Sequence, residues 1–213
     1  MAWVHFNRTR TDDATLWTDR CAEAWNRIGN KYEAASALRL RGLIAARRQD
    51  DDEAKRFYLD AIAIWRSLNQ DNVVANSLLD LGDIAFKRDD DAAEQYYHEA
   101  LEIYQKQNNR PYRPTVFNKL GFLALERHQW SEAREWLQEA LALAREIGRV
   151  ESLAFAQMGL AKVWEAEGRV DLALPLAQES LATFEQLQHR ELEWARKSVE
   201  SITAASQKGI HST

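Results

Sequence analysis

The segment Leu38-Arg39-Leu40-Arg41-Gly42-Leu43-Ile44-Ala45 returns three times in altered form down this chain. It reappears as Leu78-Leu79-Asp80-Leu81-Gly82-Asp83-Ile84-Ala85, as Phe117-Asn118-Lys119-Leu120-Gly121-Phe122-Leu123-Ala124, and as Gln157-Met158-Gly159-Leu160-Ala161-Lys162-Val163-Trp164. The equivalent positions 42, 82, 121 and 161 are 40, 39 and 40 residues apart. A fixed period of this size belongs to stacked repeat arrays, in which each unit contacts only its neighbours. Function is then expected on an extended surface shared by several units, away from any single deep cleft.

Each unit divides into two amphipathic segments. In the first unit, Ala34, Leu38, Arg41, Gly42 and Ala45 fall on one stripe at the helical period, and Ala54, Phe57, Tyr58, Ala61, Trp65 and Leu68 form a second. Glycine inside a helix costs about 1 kcal/mol relative to alanine, so Gly42, Gly82 and Gly121 predict close helix–helix approach. The second segments repeat as well. Ala54, Ala93, Ala133 and Ala173 hold one small position, and Ala61, Ala100, Ala140 and Ser180 hold another. Tyr58, Tyr97, Leu137 and Ala177 follow the first, and Trp65, Tyr104, Ala144 and Phe184 follow the second. The pattern predicts an all-α fold, a right-handed α-solenoid of antiparallel helix pairs with helices of about 16–18 residues.

The Leu81-Gly82 and Leu120-Gly121 pairs, Trp130 and Val170 at the turn's large position, Gly168 at its glycine, and the Ala-plus-aromatic second helices resemble the tetratricopeptide repeat. The chain departs from that pattern at the first signature position, which carries Leu38, Leu78, Phe117 and Gln157 instead of Trp. Its period is near 40 residues rather than 34, and the helix-ending proline is missing. Longer variants of this kind are similar to the repeats of bacterial signal-transduction ATPases, maltose-regulator-type transcription factors and animal polarity adaptors. The resemblance implies a bacterial interaction or signalling module.

Four units are expected at 31–70, 71–110, 111–150 and 151–190. Residues 191–206 carry Leu192, Ala195, Val199 and Ile202 at helical spacing and predict a C-terminal capping helix, with 207–213 a frayed tail. Residues 1–30 align with the end of a first helix followed by a second helix, a partial repeat. That alignment predicts a piece of a longer protein and an apolar end at Trp3, Phe6, Trp17 and Trp25 that self-associates or packs on a neighbour.

Net charge is −5 with no clustered Lys and Arg, which argues against nucleic acid as a partner. No apolar run approaches the roughly 20 residues of a membrane span, and a cytoplasmic chain without membrane contact is expected. The one cysteine, Cys21, rules out an internal disulfide, suits a reducing compartment, and at a position held by alanine elsewhere is expected buried. Asp50-Asp51-Asp52 and Asp89-Asp90-Asp91 precede second helices, where carboxylates cap free N–H groups; neither continues as a calcium loop. His5, His98, His128, His189 and His211 make no pair with metal-ligand spacing, and no glycine-rich phosphate loop occurs. No catalytic constellation, metal or cofactor is therefore expected. Pro175 is expected to kink or loosen the last second helix, and Pro111 and Pro114 mark the least regular inter-repeat loop.

In repeats of this type the concave surface is lined by the first helices. The positions counted from the signature glycine are Arg39 and Leu43, Leu79 and Asp83, Asn118 and Phe122, and Met158 and Lys162. Phe86 and Leu125 lie one turn further, Asn76 and Phe155 flank, and Arg47 and Lys87 stand at the rim. Leu, Phe and Met along a groove predict a non-catalytic module that binds a peptide, a partner helix or another part of its parent protein. The second reading is a small-ligand or signal-peptide sensor, suggested by Trp17, Trp25, Trp65, Trp136 and Trp164.

Overall fold

The computed structural model describes the backbone of residues 2–88 and 91–210 and the side chains of 13–88 and 91–206. Every regular element among them is helical. The chain divides into two compact units, Met1–Ile103 and Tyr104–Thr213. The first unit holds α1 (Ala2–Arg27), the pair α2 (Lys31–Arg47) and α3 (Asp51–Ser67), and α4 (Asp71–Lys87) with α5 (Ala92–Lys106), which carries the division. A single 3-10 turn at Arg110–Tyr112 opens the helical succession of the second unit. There α6 (Arg113–Glu126) pairs with α7 (Trp130–Ile147), α8 (Val150–Ala166) pairs with α9 (Val170–Gln186), and α10 (Leu192–Ile210) follows. The architecture is an all-α solenoid of helix pairs.

One device ends nearly every helix. Gly29, Gln49, Asn69, Asn108, His128, Gly148, Gly168 and Gln188 all have φ between +47° and +75°, the left-handed region. Their spacing is 20 residues throughout, except between 69 and 108, an interval containing Asp89 and Asp90, which lie outside the described residues. After each, the next backbone N–H reaches back into the helix just finished: Asp50 to Ala45 O (3.0 Å), Gln70 to Trp65 O (2.9 Å), Arg149 to Ala144 O (2.8 Å) and His189 to Phe184 O (3.0 Å). This is the Schellman arrangement, which satisfies terminal carbonyls and reverses the chain in a few residues. Side-chain caps start the next helices where the sequence supplies them. Asn30 accepts from Glu33 N (3.2 Å) and Asp50 from Glu53 N (3.1 Å), so the first aspartate run serves as a cap.

The signature glycines sit where helices of a pair touch. A β-carbon at Gly42 would lie 2.5 Å from Tyr58 Cε1, one at Gly82 2.6 Å from Tyr97 Cδ1, and one at Gly121 2.6 Å from Leu137 Cγ. The residue opposite is therefore the large position of the second helix, and the bare glycine backbone is the socket for it. In the fourth pair both partners are alanine: Ala161 and Ala177 are fully buried in one cluster. Gly159, outside the glycine register, receives the other side of Leu137, with a β-carbon 2.6 Å from Cδ2.

Two local expectations are corrected. Helix α1 is one uninterrupted element from Ala2 to Arg27 rather than the end of one helix and the start of another. No glycine or proline interrupts residues 2–28, so nothing breaks it. Pro175 lies inside helix α9 and is exposed. The C-terminal helix extends to Ile210, past the point where the tail was expected to fray; Gln207–Ile210 have no described side chains, and His211–Thr213 lie outside the described residues, as do Met1 and the side chains of Trp3, His5 and Phe6. The Pro111–Pro114 loop is well tied down. Arg110 Nη2 meets both Glu146 carboxylate oxygens at 2.8 Å, and Tyr112 stacks on Tyr104 with centroids 5.3 Å apart.

Two predictions come from the glycine sockets. Gly82→Ala should destabilise the fold by about 1–3 kcal/mol, because Tyr97 is buried and its hydroxyl is held by Asp83 at 2.9 Å, so the ring cannot withdraw. Ala161→Gly, which opens space instead, should cost no more than about 1 kcal/mol; equal effects in urea melts would show the socket assignment to be wrong. The second concerns alkaline pH. Burial pushes the Tyr58 and Tyr97 phenols well above their ordinary 10.0, helped by the carboxylates of Asp80 and Asp83 respectively. The unfolded chain then loses these protons first, so the stability they contribute is intact below about pH 10 and declines as pH rises beyond it. Melting temperature should fall from about pH 10 upward, and Tyr97→Phe should flatten that slope.

Candidate interaction site

In the first unit the face formed by α2 and α4 is accessible and mixed in character. Arg39, Leu43, Asn76, Asp83 and Phe86 are half-buried, and Arg47 and Lys87 are exposed. Leu79, at 8% exposure, belongs to the core and not to this surface. Arg39 crosses from α2 to α4, placing Nε and Nη2 2.9 and 2.7 Å from Asp80 Oδ2. Asp83 accepts the Tyr97 hydroxyl, which fixes its carboxylate on the second helix of its own pair. Between α2 and α4 lies a small cavity of about 110 Å³, lined by Ser36, Arg39, Trp65, Val73 and Asn76. It joins three residues singled out from sequence, Arg39, Asn76 and Trp65, with two that were not, Ser36 and Val73. The position of Trp65 on the stripe of α3 says nothing of where the indole nitrogen ends up.

The corresponding face of the second unit is different. Met158 is fully buried, and Asn118 and Leu125 are nearly so. Asn118 Nδ2 donates to Ser152 O at 2.8 Å, bonding α6 to α8. Phe122 and Phe155 remain half-buried, but Trp194 of α10 packs against both, with centroids 5.9 and 6.2 Å away. Lys162 places Nζ 5.7 Å from the Trp194 ring, and the Glu165 carboxylate accepts from Ser201 on α10 at 3.1 Å. His189 adds to the same cluster, stacked on Phe184 at 4.9 Å and bonded to Glu151 at 3.0 Å. The expected open strip of Leu79, Phe86, Phe122 and Met158 is thus corrected. Leu79 and Met158 are core, Phe122 is covered by Trp194 of α10, and Phe86 alone of the four keeps its partial exposure without that cover. Periodicity could place these residues on the first helices. It could not show that α10 would turn its own tryptophan onto them.

A third surface lies on α1. Trp17 is 63% exposed, whereas Phe57, its equivalent on α3, is 6% exposed because α2 covers it. Leu16 and Ile28 are exposed too, and Cys21, expected buried, is exposed for the same reason: no helix among the described residues packs on that side of α1. Among the described residues no group of three or more His, Cys, Asp or Glu side chains could hold a metal ion, and no helix is long and apolar enough to cross a membrane.

The fold has many likenesses among solved structures. BtubC (BKLC) from P. vanneervenii superposes with a TM-score of 0.75 at 16% identity, over 92% of this chain and 84% of that one. A Rap protein complexed with Competence and Sporulation Factor gives 0.73 at 17% identity, over 86% of this chain and 51% of its own. Aspartyl phosphate phosphatase F from Bacillus subtilis gives 0.68 at 11% identity, over 95% and 57%. This chain therefore spans about half the length of the latter two. At such identities the likeness concerns the fold alone. No curated protein matches the sequence. The narrower likeness to signal-transduction ATPases and maltose-regulator-type factors rests on the sequence pattern only. The tetratricopeptide-repeat profile, in contrast, matches residues 33–106, 73–146 and 112–186 in overlapping succession, and with its glycine sockets and paired helices this chain belongs to the tetratricopeptide-repeat family.

Proposed function

We propose that this chain is a non-catalytic interaction module that binds a peptide or partner helix on the α2–α4 face of its first unit. The observation that carries this reading is the contrast between the two units. The first keeps Leu43, Phe86 and Asn76 partly accessible between exposed Arg47 and Lys87, while the second covers its equivalent face with α10. A face with apolar anchors and a charged rim suits a segment laid across first helices, with the anchors carrying most of the affinity. A Rap protein similar to this chain in fold over about half its length is complexed with Competence and Sporulation Factor, which supports a bound factor as the general mode.

The test is selection of 12-residue peptides from a random library on the full chain, followed by titration. Phe86→Ala should weaken the selected peptides about tenfold, roughly 1.4 kcal/mol, while Glu102→Ala, exposed on α5, should leave them unchanged. A larger loss from Glu102→Ala would move the working surface to the second helices and overturn the assignment.

The same reading extends to α1, whose exposed Leu16, Trp17 and Ile28 form an apolar side suited to a second copy of the chain. Trp3 and Phe6, which the sequence adds to that end, lie outside the described side chains. Light scattering at rising concentration should show dimers that Trp17→Ser shifts toward monomer. A strict monomer at every concentration would remove self-association from the proposal.

A further inference from the structure

We propose that two copies of this chain associate through an antiparallel pair of α1 helices, the N-terminal half of each covering Trp17 of the other. The inference rests on the self-association reading above. It names the segment that fills the site and the charges that set its register. Helix α1 has 26 residues, about 39 Å of helix, against 17 and about 26 Å for α2. The two run antiparallel from the turn at Gly29, so α2 ends level with about residue 11 and leaves 2–10 as an overhang. Helices in proteins draw most of their stability from a packed face, which gives the overhang a reason to be paired. It cannot fold back on its own Trp17, because both lie on one unbroken rod. A second copy brings the same overhang at matching length.

The side of α1 that faces α2 is fixed by buried Thr18 and by Asp19, whose Oδ1 meets Arg41 Nη1 at 2.6 Å. Away from it stand Asp13, Trp17 and Arg20, all exposed, with the Arg20 guanidinium 5.7 Å from the Trp17 ring. In the sequence this line continues upstream as Arg10, Phe6 and Trp3. The six follow one another in alternating steps of three and four, the spacing of a coiled-coil seam. Laid antiparallel against its own copy, the seam is self-complementary in one register. Arg10 stands opposite Asp13, Phe6 opposite Trp17, and Trp3 opposite Arg20, each pair occurring twice about the two-fold axis. Cation then meets carboxylate, aromatic meets aromatic, and guanidinium meets an indole face. In a parallel, in-register pair Arg10 would face Arg10 and Asp13 would face Asp13. Charge therefore decides direction as well as register.

The experiment is sedimentation equilibrium of the full chain at low ionic strength, with circular dichroism on each variant to verify its helix content. Asp13→Arg and Arg10→Asp should each weaken the dimer about tenfold, because each change acts twice in a two-fold pair. The double variant Arg10→Asp/Asp13→Arg restores both pairs with their signs exchanged and should return to within about threefold of the wild type. Mixing the two single variants should give a heterodimer tighter than either homodimer, since all four charges are then opposed. Should a reversal disturb the fold, Asp13→Asn removes the charge at an exposed position and should weaken the dimer about threefold. A dimer that Trp17→Ser dissolves but no charge change alters, or that neither mixing nor the double variant rescues, would overturn the paired register while α1 self-association stands. A monomer at every concentration would overturn both.

Discussion

A left-handed residue every 20 positions, outside the interval from 69 to 108, governs the described part of this molecule. Each one stops a helix, turns the chain, and lets the following N–H recapture a carbonyl five residues back, so two such turns make one repeat of 40. The glycine sockets work only because of that metronome. Gly42 meets Tyr58, Gly82 meets Tyr97 and Gly121 meets Leu137 at separations of 15 or 16 residues, a distance fixed by the lengths of the helices and of the turn between them. A residue inserted in any turn would move the large side chain off its socket by about 100° of helix rotation. Packing in the pair is therefore a consequence of where the chain reverses.

The turns also show why local sequence carries only part of the signal. Gly29, Gly148 and Gly168 take positive φ at no steric cost, and Asn69 and Asn108 tolerate it. Gln49, His128 and Gln188 are not residues that advertise such a conformation, and each holds it at a penalty of about 1–2 kcal/mol relative to the right-handed helix. Packing of the flanking helices must outweigh that penalty. His128 also gains a ring contact with Trp130, 5.1 Å away, at the start of the next helix.

Surface ion pairs tie consecutive repeats within each unit, and their role is secondary. Arg66 pairs with Glu99 and Arg88 with Asp52 in the first unit, and Arg110 with Glu146 and Arg134 with Glu167 in the second. The Arg88 guanidinium, through its hydrogen bond, holds the Asp52 carboxyl below its ordinary value. Exposed pairs of this kind are screened by solvent and contribute little to stability. They refine how neighbouring repeats sit, whereas the buried tyrosines and the Trp194 cluster decide which faces are available.

The sequence by itself determined the helix pairs, the 40-residue period and the glycine positions, because all three are local or periodic properties that a residue carries wherever its neighbours lie. It also placed Arg39, Asn76, Phe86, Phe122 and Met158 on first helices. Exposure was decided elsewhere. Whether a side chain on a helix is surface or core depends on which other helix arrives, and no periodicity in α6 or α8 records that Trp194, some 40 to 70 residues later, will rest on Phe122 and Phe155. The same holds in reverse for Cys21, which reads as core by its register and stands exposed because no helix among the described residues packs on that side of α1. The partnerless Trp65 nitrogen beside Arg39 arises only when α2, α3 and α4 are brought together, since a hydrogen bond that is missing is a property of the assembled surroundings and not of any one segment.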